Sequence, residues 1–270
     1  MERLLLLTLD AMGCEAEALV NGVAVARVHA GRPRAVVPIH EYTLAGDNRL
    51  ELVAWPLPAA AAPQAVPPPP LPLVSDGHVS AHLRVLLPRA GNAVDAESAR
   101  SLAQLDWAPP AGEGYEAPCI TRQDIALPVS FPRWRWLDAP PVEPTAALRR
   151  QAGDLLARLA RELSEGQADG FMAATRLRTE EIATAYQLSP DDSSSRLREH
   201  LAGLSADGPV AWAPLPPEGP VLRRLAGGRL LECLDDSGET ALRTVTDAAG
   251  DTHFFPIRFA AVEGKLYVLR

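Results

Sequence analysis

The stretch VVPIHEYTLAGDNRLELVAWP, residues 36–56, reads as strand, turn and strand, and it decides how the first half of the chain is built. Gly46, Asp47 and Asn48 are turn residues. After them Leu50, Leu52 and Ala54 alternate with Arg49, Glu51 and Val53, the two-residue period of a half-buried strand. Upstream, RLLLLTLD, AEALV and VAVARV are further apolar runs, and Asn21-Gly22 separates the last two. That dipeptide is the preferred type I′ hairpin turn, because both central residues need positive φ. Downstream, strand signals resume in HVSAHLRVLLP, ARSLAQLDW and ITRQDIALPVSFPRWRWLD. Residues 1–140 therefore read as an all-β sandwich domain. Within it, PLPAAAAPQAVPPPPLP at 56–72 has few backbone donors and many fixed φ angles, so it reads as a proline-rich loop in polyproline II conformation. An SH3-type ligand is the functional alternative for PPPPLP.

After a second proline-rich joint at 138–144 the period changes to that of helices. Leu148, Leu155, Leu156, Leu159 and Leu163 fall on one stripe, with Thr145 as N-cap and Gly166 as stop. A second helix is expected over Asp169–Tyr186, broken near Leu177–Thr179. A third opens with Ser189 as cap, Pro190 in the first turn, and Asp191 and Asp192 complementing the helix dipole. From 209 onward strand-like runs alternate with GG, DDSGE, DAAGD and EGK turns, which predicts an antiparallel sheet. Residues 141–270 thus read as α+β, with three helices packed on a curved antiparallel sheet.

Two resemblances rest on these residues. Asn21, Gly22, Leu44, Gly46, Asn48, Leu50 and Leu52 make an Asn-Gly hairpin followed by an L..G.N.L.L strand. This resembles the galactose-binding-like, or glycosidase sugar-binding-type, jelly-roll domain over roughly 50 residues, and implies a sandwich in which many members bind no sugar. The second half is similar in element order to the NTF2-like, or cystatin-like, cone, with Phe259, Gly264, Lys265, Leu266 and Tyr267 matching its final hairpin. That likeness implies a pocket lined by a concave sheet, with polar candidates at His253, Asp235, Tyr186, Arg258 and Glu232.

Composition excludes more than it selects. A net charge of −8 and pI near 5.3 argue against nucleic acid as a partner, since phosphate binding needs clustered cations. Lys265 is the single lysine among 26 basic residues, as in a GC-rich genome, so the many arginines carry little functional weight. Cys14, Cys119 and Cys233 are odd in number and outside any CxxC or Cys/His ligand spacing, so they read as small buried hydrophobes. The apolar run Leu4–Leu9 is short and closed by Asp10, and no stretch approaches about 20 apolar residues, so no membrane span is expected. Cytoplasmic placement is the expectation, a removed leader being the alternative.

Signatures of chemistry are sparse. His78 and His82 on a strand would stand about 13 Å apart, too far to share one ion, so no metal is expected. His40 and Glu41 are adjacent on an extended chain and face opposite ways, which leaves His40 a loop histidine bonded to backbone. G-x-S-x-G, G-x-G-x-x-G and P-loop patterns are missing, so no cofactor and no catalytic residue is assigned. Trp134 and Trp136 alternate with Arg133 and Arg135, so on a strand both indoles share one face. Exposed, they would form a sugar-stacking platform or a partner hot spot; buried, they would complete a core, which is the favoured reading. Trp55 and Tyr42 pose the same choice. The resulting expectation is a non-catalytic accessory, adaptor or immunity-type factor of bacterial type that binds another protein. A carbohydrate- or small-molecule-binding protein using Trp faces or the C-terminal cone is the first alternative, and an NTF2-like hydrolase or isomerase the second.

Overall fold

The computed structural model describes residues 4–56, 73–75, 77–88, 99–127, 129–205, 208, 210–247 and 250–270. Contacts divide the chain into two units, Met1–Pro132 and Arg133–Arg270. In the first, Asn21 and Gly22 adopt φ of 53° and 75°, the two positive angles a type I′ turn requires. The turn joins β2 (Cys14–Val20) to β3 (Val23–Val28). Around this hairpin stand β1 (Leu6–Met12), β4 (Arg34–Pro38), β5 (Gly46–Pro56), β7 (Ser80–Leu87), β8 (Arg100–Trp107) and β10 (Cys119–Leu127), while β6 (Leu73–Val74) and β9 (Gly114–Tyr115) form a short separate ribbon. The main strands make two four-stranded sheets, β4-β1-β7-β8 and β10-β5-β2-β3, with every pairing antiparallel. Alternate residues of both sheets, including Leu5, Leu7 and Leu9, Ala16, Ala18 and Val20, Leu50 and Leu52, and Leu83 and Val85, enter one shared buried core. Two sheets facing each other across one core is a β-sandwich. Residues 57–72 of the proline-rich segment lie outside the described residues.

The turn before β5 is held by side-chain amides. Asn48 is buried, and its Oδ1 accepts from Leu44 N–H and from Asn21 Nδ2, while its own Nδ2 donates to the carbonyls of Leu44 and Gly46. Asn21 Oδ1 in turn accepts from Arg49 N–H. The hairpin and the entry to β5 are thereby tied at a fixed register. His40–Tyr42, expected as extended chain, instead forms one 3₁₀ turn, because Thr43 N–H closes onto His40 O. His40 is buried and its Nε2 accepts from Leu5 N–H at 2.8 Å, the backbone-bonded role expected of it.

The second unit opens with α1 (Ala146–Ser164), α2 (Asp169–Ala174), α3 (Arg176–Ala185) and α4 (Pro190–Leu204). Thr145 and Ser189 cap α1 and α4 as the sequence predicts, accepting from Leu148 N–H and Asp192 N–H. Four helices replace the expected three because the second is broken at Thr175, two residues before the predicted break. Thr175 Oγ1 donates back to Phe171 O and Thr179 Oγ1 to Thr175 O, and this back-bonding competes with the helix ladder. The sheet is an antiparallel meander, β11 (Val221–Leu225), β12 (Leu230–Leu234), β13 (Arg258–Val262) and β14 (Lys265–Val268). Leu156, Leu159 and Leu163 of α1, Phe171 and Leu201 share a core with Leu222, Leu231, Cys233, Phe259 and Val268 of the sheet. The runs expected as strands near 210–214, 240–247 and 252–256 make isolated bridges instead, Trp212 to Thr244, Leu234 to Thr240 and Arg243 to Phe254. Pro214 and Pro256 remove the donors a continued ladder needs. No helix among the described residues is long and apolar enough to cross a membrane.

Asn48→Ala strips three part-buried backbone groups and the Asn21 amide of a partner, and is expected to destabilise the sandwich by about 2 kcal/mol. Urea unfolding followed by hydrogen exchange checks this, with the loss of protection expected in β2, β3 and β5.

Candidate functional site

The tryptophans singled out from the sequence fall into two environments. Trp134 and Trp136 are 1% and 2% exposed. They do not lie on a strand: Trp134 is extended and Arg135–Asp138 turn as a 3₁₀ helix, so strand alternation does not apply. Arg135 N–H, which a strand would pair with a neighbouring strand, donates to Glu181 Oε1 at 2.8 Å. The buried guanidinium of Arg270 lies 5.4 Å from the Trp134 ring and is ion-paired to Glu181. These indoles are core and present no stacking platform. Trp55 is half-buried on the outward face of β5, opposite Glu15 of β2, because its neighbour Ala54 faces the core. Tyr42 is half-buried against the sandwich core.

The cone candidates do not converge. Arg258 is buried on β13, opposite Glu232 of β12, whose register partner on β11 is Arg223. Arg258 Nε donates to Glu232 Oε1 at 2.7 Å and Arg223 Nε to Oε2 at 2.9 Å, so one carboxylate is held between two guanidiniums. Burial by itself pushes the Glu232 carboxyl up, but attraction to Arg258 and Arg223 and their hydrogen bonds outweigh it and hold the group below the usual carboxylate range. Asp235 belongs to a turn, accepting from Ser237 and Glu239 N–H and pairing with Arg243 at 2.6 Å. Tyr186 follows α3. His253 is exposed and stacks edge-on against His200, with ring centroids 6.1 Å apart. None of these five lines the cavity described next; His253 is linked to it through its ring contact with the lining residue His200. His82 is paired with Asp106 at 2.7 Å, and among the described residues no three His, Cys, Asp or Glu side chains gather as a metal site would require.

What the fold does assemble is a cleft of about 290 Å³ between α2, α3, α4 and residues 254–256. Its apolar walls are Phe171, Ile182, Leu197, Phe254, Phe255 and Pro256. Phe255 is the hub: its ring meets Phe171 edge-on at 5.7 Å and lies 5.4 Å from Trp212 and 6.2 Å from His200. Five polar residues, Thr175, Arg178, Thr179, Ser193 and His200, complete the lining. The two threonine hydroxyls are committed to helix carbonyls, and Arg178 Nη1 donates to Pro256 O at 3.1 Å. Ser193 Oγ is buried with no hydrogen-bond partner. Ser193 and His200 stand seven residues apart on α4, about 10 Å along its axis, beyond the reach of a nucleophile and its base. A second hollow of about 640 Å³, at Glu162, Gly166, Gly170 and Arg198, has no aromatic wall, and its Arg198 is paired with Asp169.

Comparison of the chain with family models, with curated proteins and with solved structures finds no match. The site therefore rests on its own geometry. Sequence reasoning missed Arg178, Ser193, Phe254 and Phe255. A usable signal was present: with only five phenylalanines in the chain, an adjacent pair before a proline marks a concentrated apolar wall.

Glu232→Gln leaves two guanidiniums without their carboxylate and is expected to cost about 3 kcal/mol at neutral pH. Because the carboxyl is held lower in the folded than in the unfolded chain, its contribution is full above the unfolded value of about 4.3. It fades as pH falls through the lower folded value. Urea unfolding of both proteins at neutral and acid pH should show the difference between them shrinking in acid. A separate expectation concerns the thiols, since burial pushes Cys14, Cys119 and Cys233 all upward, Cys233 most strongly. Native alkylation mapped by mass spectrometry should modify the half-exposed Cys119 first and spare Cys14 and Cys233 until the chain unfolds.

Proposed function

We propose that the chain is a non-catalytic binding protein whose second unit takes a small, largely apolar ligand in the cleft between α2, α3 and α4. The observation that carries this reading is the cleft itself, a cavity of about 290 Å³ whose aromatic walls surround a few polar groups. That is the usual composition of a small-molecule site, at the lower end of the usual size of about 300–1,000 Å³. Among the described residues no Asp or Glu lines it, and an NTF2-like hydrolase or isomerase would set an acid deep in the cone. The wider expectation from the sequence, a protein partner, rested on acidic charge, scaffold-type folds and the lack of a recognisable site; the cleft offers a site, so the small-ligand reading takes precedence here.

The fold assignments support this use. For the first unit we propose the galactose-binding-like jelly roll, on the Asn-Gly hairpin and the Asn48 turn, and for the second an NTF2-like arrangement, on helices followed by a meander. The sandwich then serves as scaffold and the helical unit as the binding module.

Trp212 gives a reporter, since its ring packs on Phe255, while Trp55 and Trp107 lie in the other unit. In protein labelled with 5-fluorotryptophan, apolar fragments that enter the cleft are expected to move the Trp212 resonance in ¹⁹F NMR and leave those of Trp55 and Trp107 in place. Phe254→Ala, which removes a 44% exposed wall residue, should weaken the response about tenfold. A fragment library that never moves the Trp212 resonance would sink the reading.

A further inference from the structure

Building on the cleft reading, we infer that its ligand is a small aromatic acid, its ring held among the phenylalanines and its anionic head taken by Arg178 and Ser193. The chain carries a net charge of −8, yet among the described residues no carboxylate lines the cleft, and the ionisable lining residues are Arg178 and His200. A hollow with this bias in an acidic protein selects against cationic ligands and favours an anion. The donors point the same way. Arg178 Nη1 is fixed by Pro256 O, which anchors a planar guanidinium in the wall, and such a fork matches a carboxylate geometrically.

Ser193 supplies the second observation. Its Oγ is buried in the cleft wall with no partner, a state that costs free energy unless something completes it. Thr175 and Thr179 have already given their protons to helix carbonyls, so Ser193 is the hydroxyl in the wall able to donate to an incoming acceptor. Size then limits the body of the ligand. A volume of about 290 Å³ fits one or two fused rings. The ring of Phe255, packed at an angle to Phe171, His200 and Trp212, offers edge and face contacts suited to an aromatic guest.

The test uses three probes of equal size and different head: phenylacetate, phenylacetamide and phenethylamine. Their affinities are measured by the ¹⁹F response of Trp212 in the full chain and in the Arg178→Gln, Arg178→Lys and Ser193→Ala variants, each first shown by circular dichroism to be folded. Phenylacetate is expected to bind at least tenfold tighter than phenylacetamide, and phenethylamine weakest. Arg178→Gln should erase the preference for the acid over the amide, Arg178→Lys should retain part of it, and Ser193→Ala should cost the acid several-fold. Equal binding of acid and amide, or a preference that survives Arg178→Gln, overturns the head-group assignment and leaves the cleft reading intact. The assignment also falls alone when none of the three probes binds but neutral fragments do. Both fall when nothing moves the Trp212 resonance.

Discussion

The amide of Asn48 is the constraint on which the first unit depends. Where the chain enters β5, a single side chain with two donors and an acceptor binds three backbone groups, the N–H and carbonyl of Leu44 and the carbonyl of Gly46. Because Asn48 Oδ1 also accepts from Asn21, the β2–β3 turn and the start of β5 are set relative to each other. A one-residue slip of β5 would carry Leu50, Leu52 and Ala54 to the outer face and bring Arg49 and Glu51 into the core. Central pairing of β5 with β2 and β10 then propagates that register through the sheet.

The second unit is organised around the opposite kind of group, a buried charge. Glu232 carries a desolvation penalty that only two guanidiniums make tolerable, and these come from the strands on either side. Arg258 and Arg270 face each other through reciprocal backbone hydrogen bonds, so the charged row continues to Arg270 and from there to Glu181 of α3. Leu231, Cys233 and Phe259 occupy the alternate positions and pack into the helix-facing core. One face of the sheet is thus hydrophobic, while the other sets the ionic row beside buried Leu225, Leu230 and Ala260, and the register of β11, β12 and β13 is specified by both.

Legibility in the sequence followed the range of the interactions. The Asn21-Gly22 turn, the Thr145 and Ser189 caps and the leucine stripes are local devices, and each appeared where a few neighbouring residues demanded it. The break at Thr175 was foreseen two residues late, because back-bonding by paired threonines displaces it from the Leu177–Thr179 stretch. Trp134 and Trp136 were misread as a strand because the acceptor for Arg135 N–H is Glu181, a partner 46 residues away. The cleft was illegible for the same reason. Its walls come from α2, α3, α4 and the residues before β13, and no spacing rule joins Arg178 to Ser193 or to Pro256.

The broken helix explains why the cleft can be preformed. On α3 the residues 178, 179 and 182 share one face with Thr175, while 177, 180 and 181 share the other, as a period of 3.6 residues dictates. The first face lines the cleft; the second meets Arg135 through Leu177 O and Glu180, and Arg270 through Glu181. A helix with work on both faces has no single apolar stripe, which is why periodicity said little about it. It also has little freedom to shift: Glu181 is fixed to a buried guanidinium on the strand side, and Arg178 to the Pro256 carbonyl on the cleft side. Such double anchoring sets the height of the Arg178 guanidinium in the wall before any ligand arrives. Binding then requires little ordering of the protein, so a cavity of modest volume can retain useful affinity.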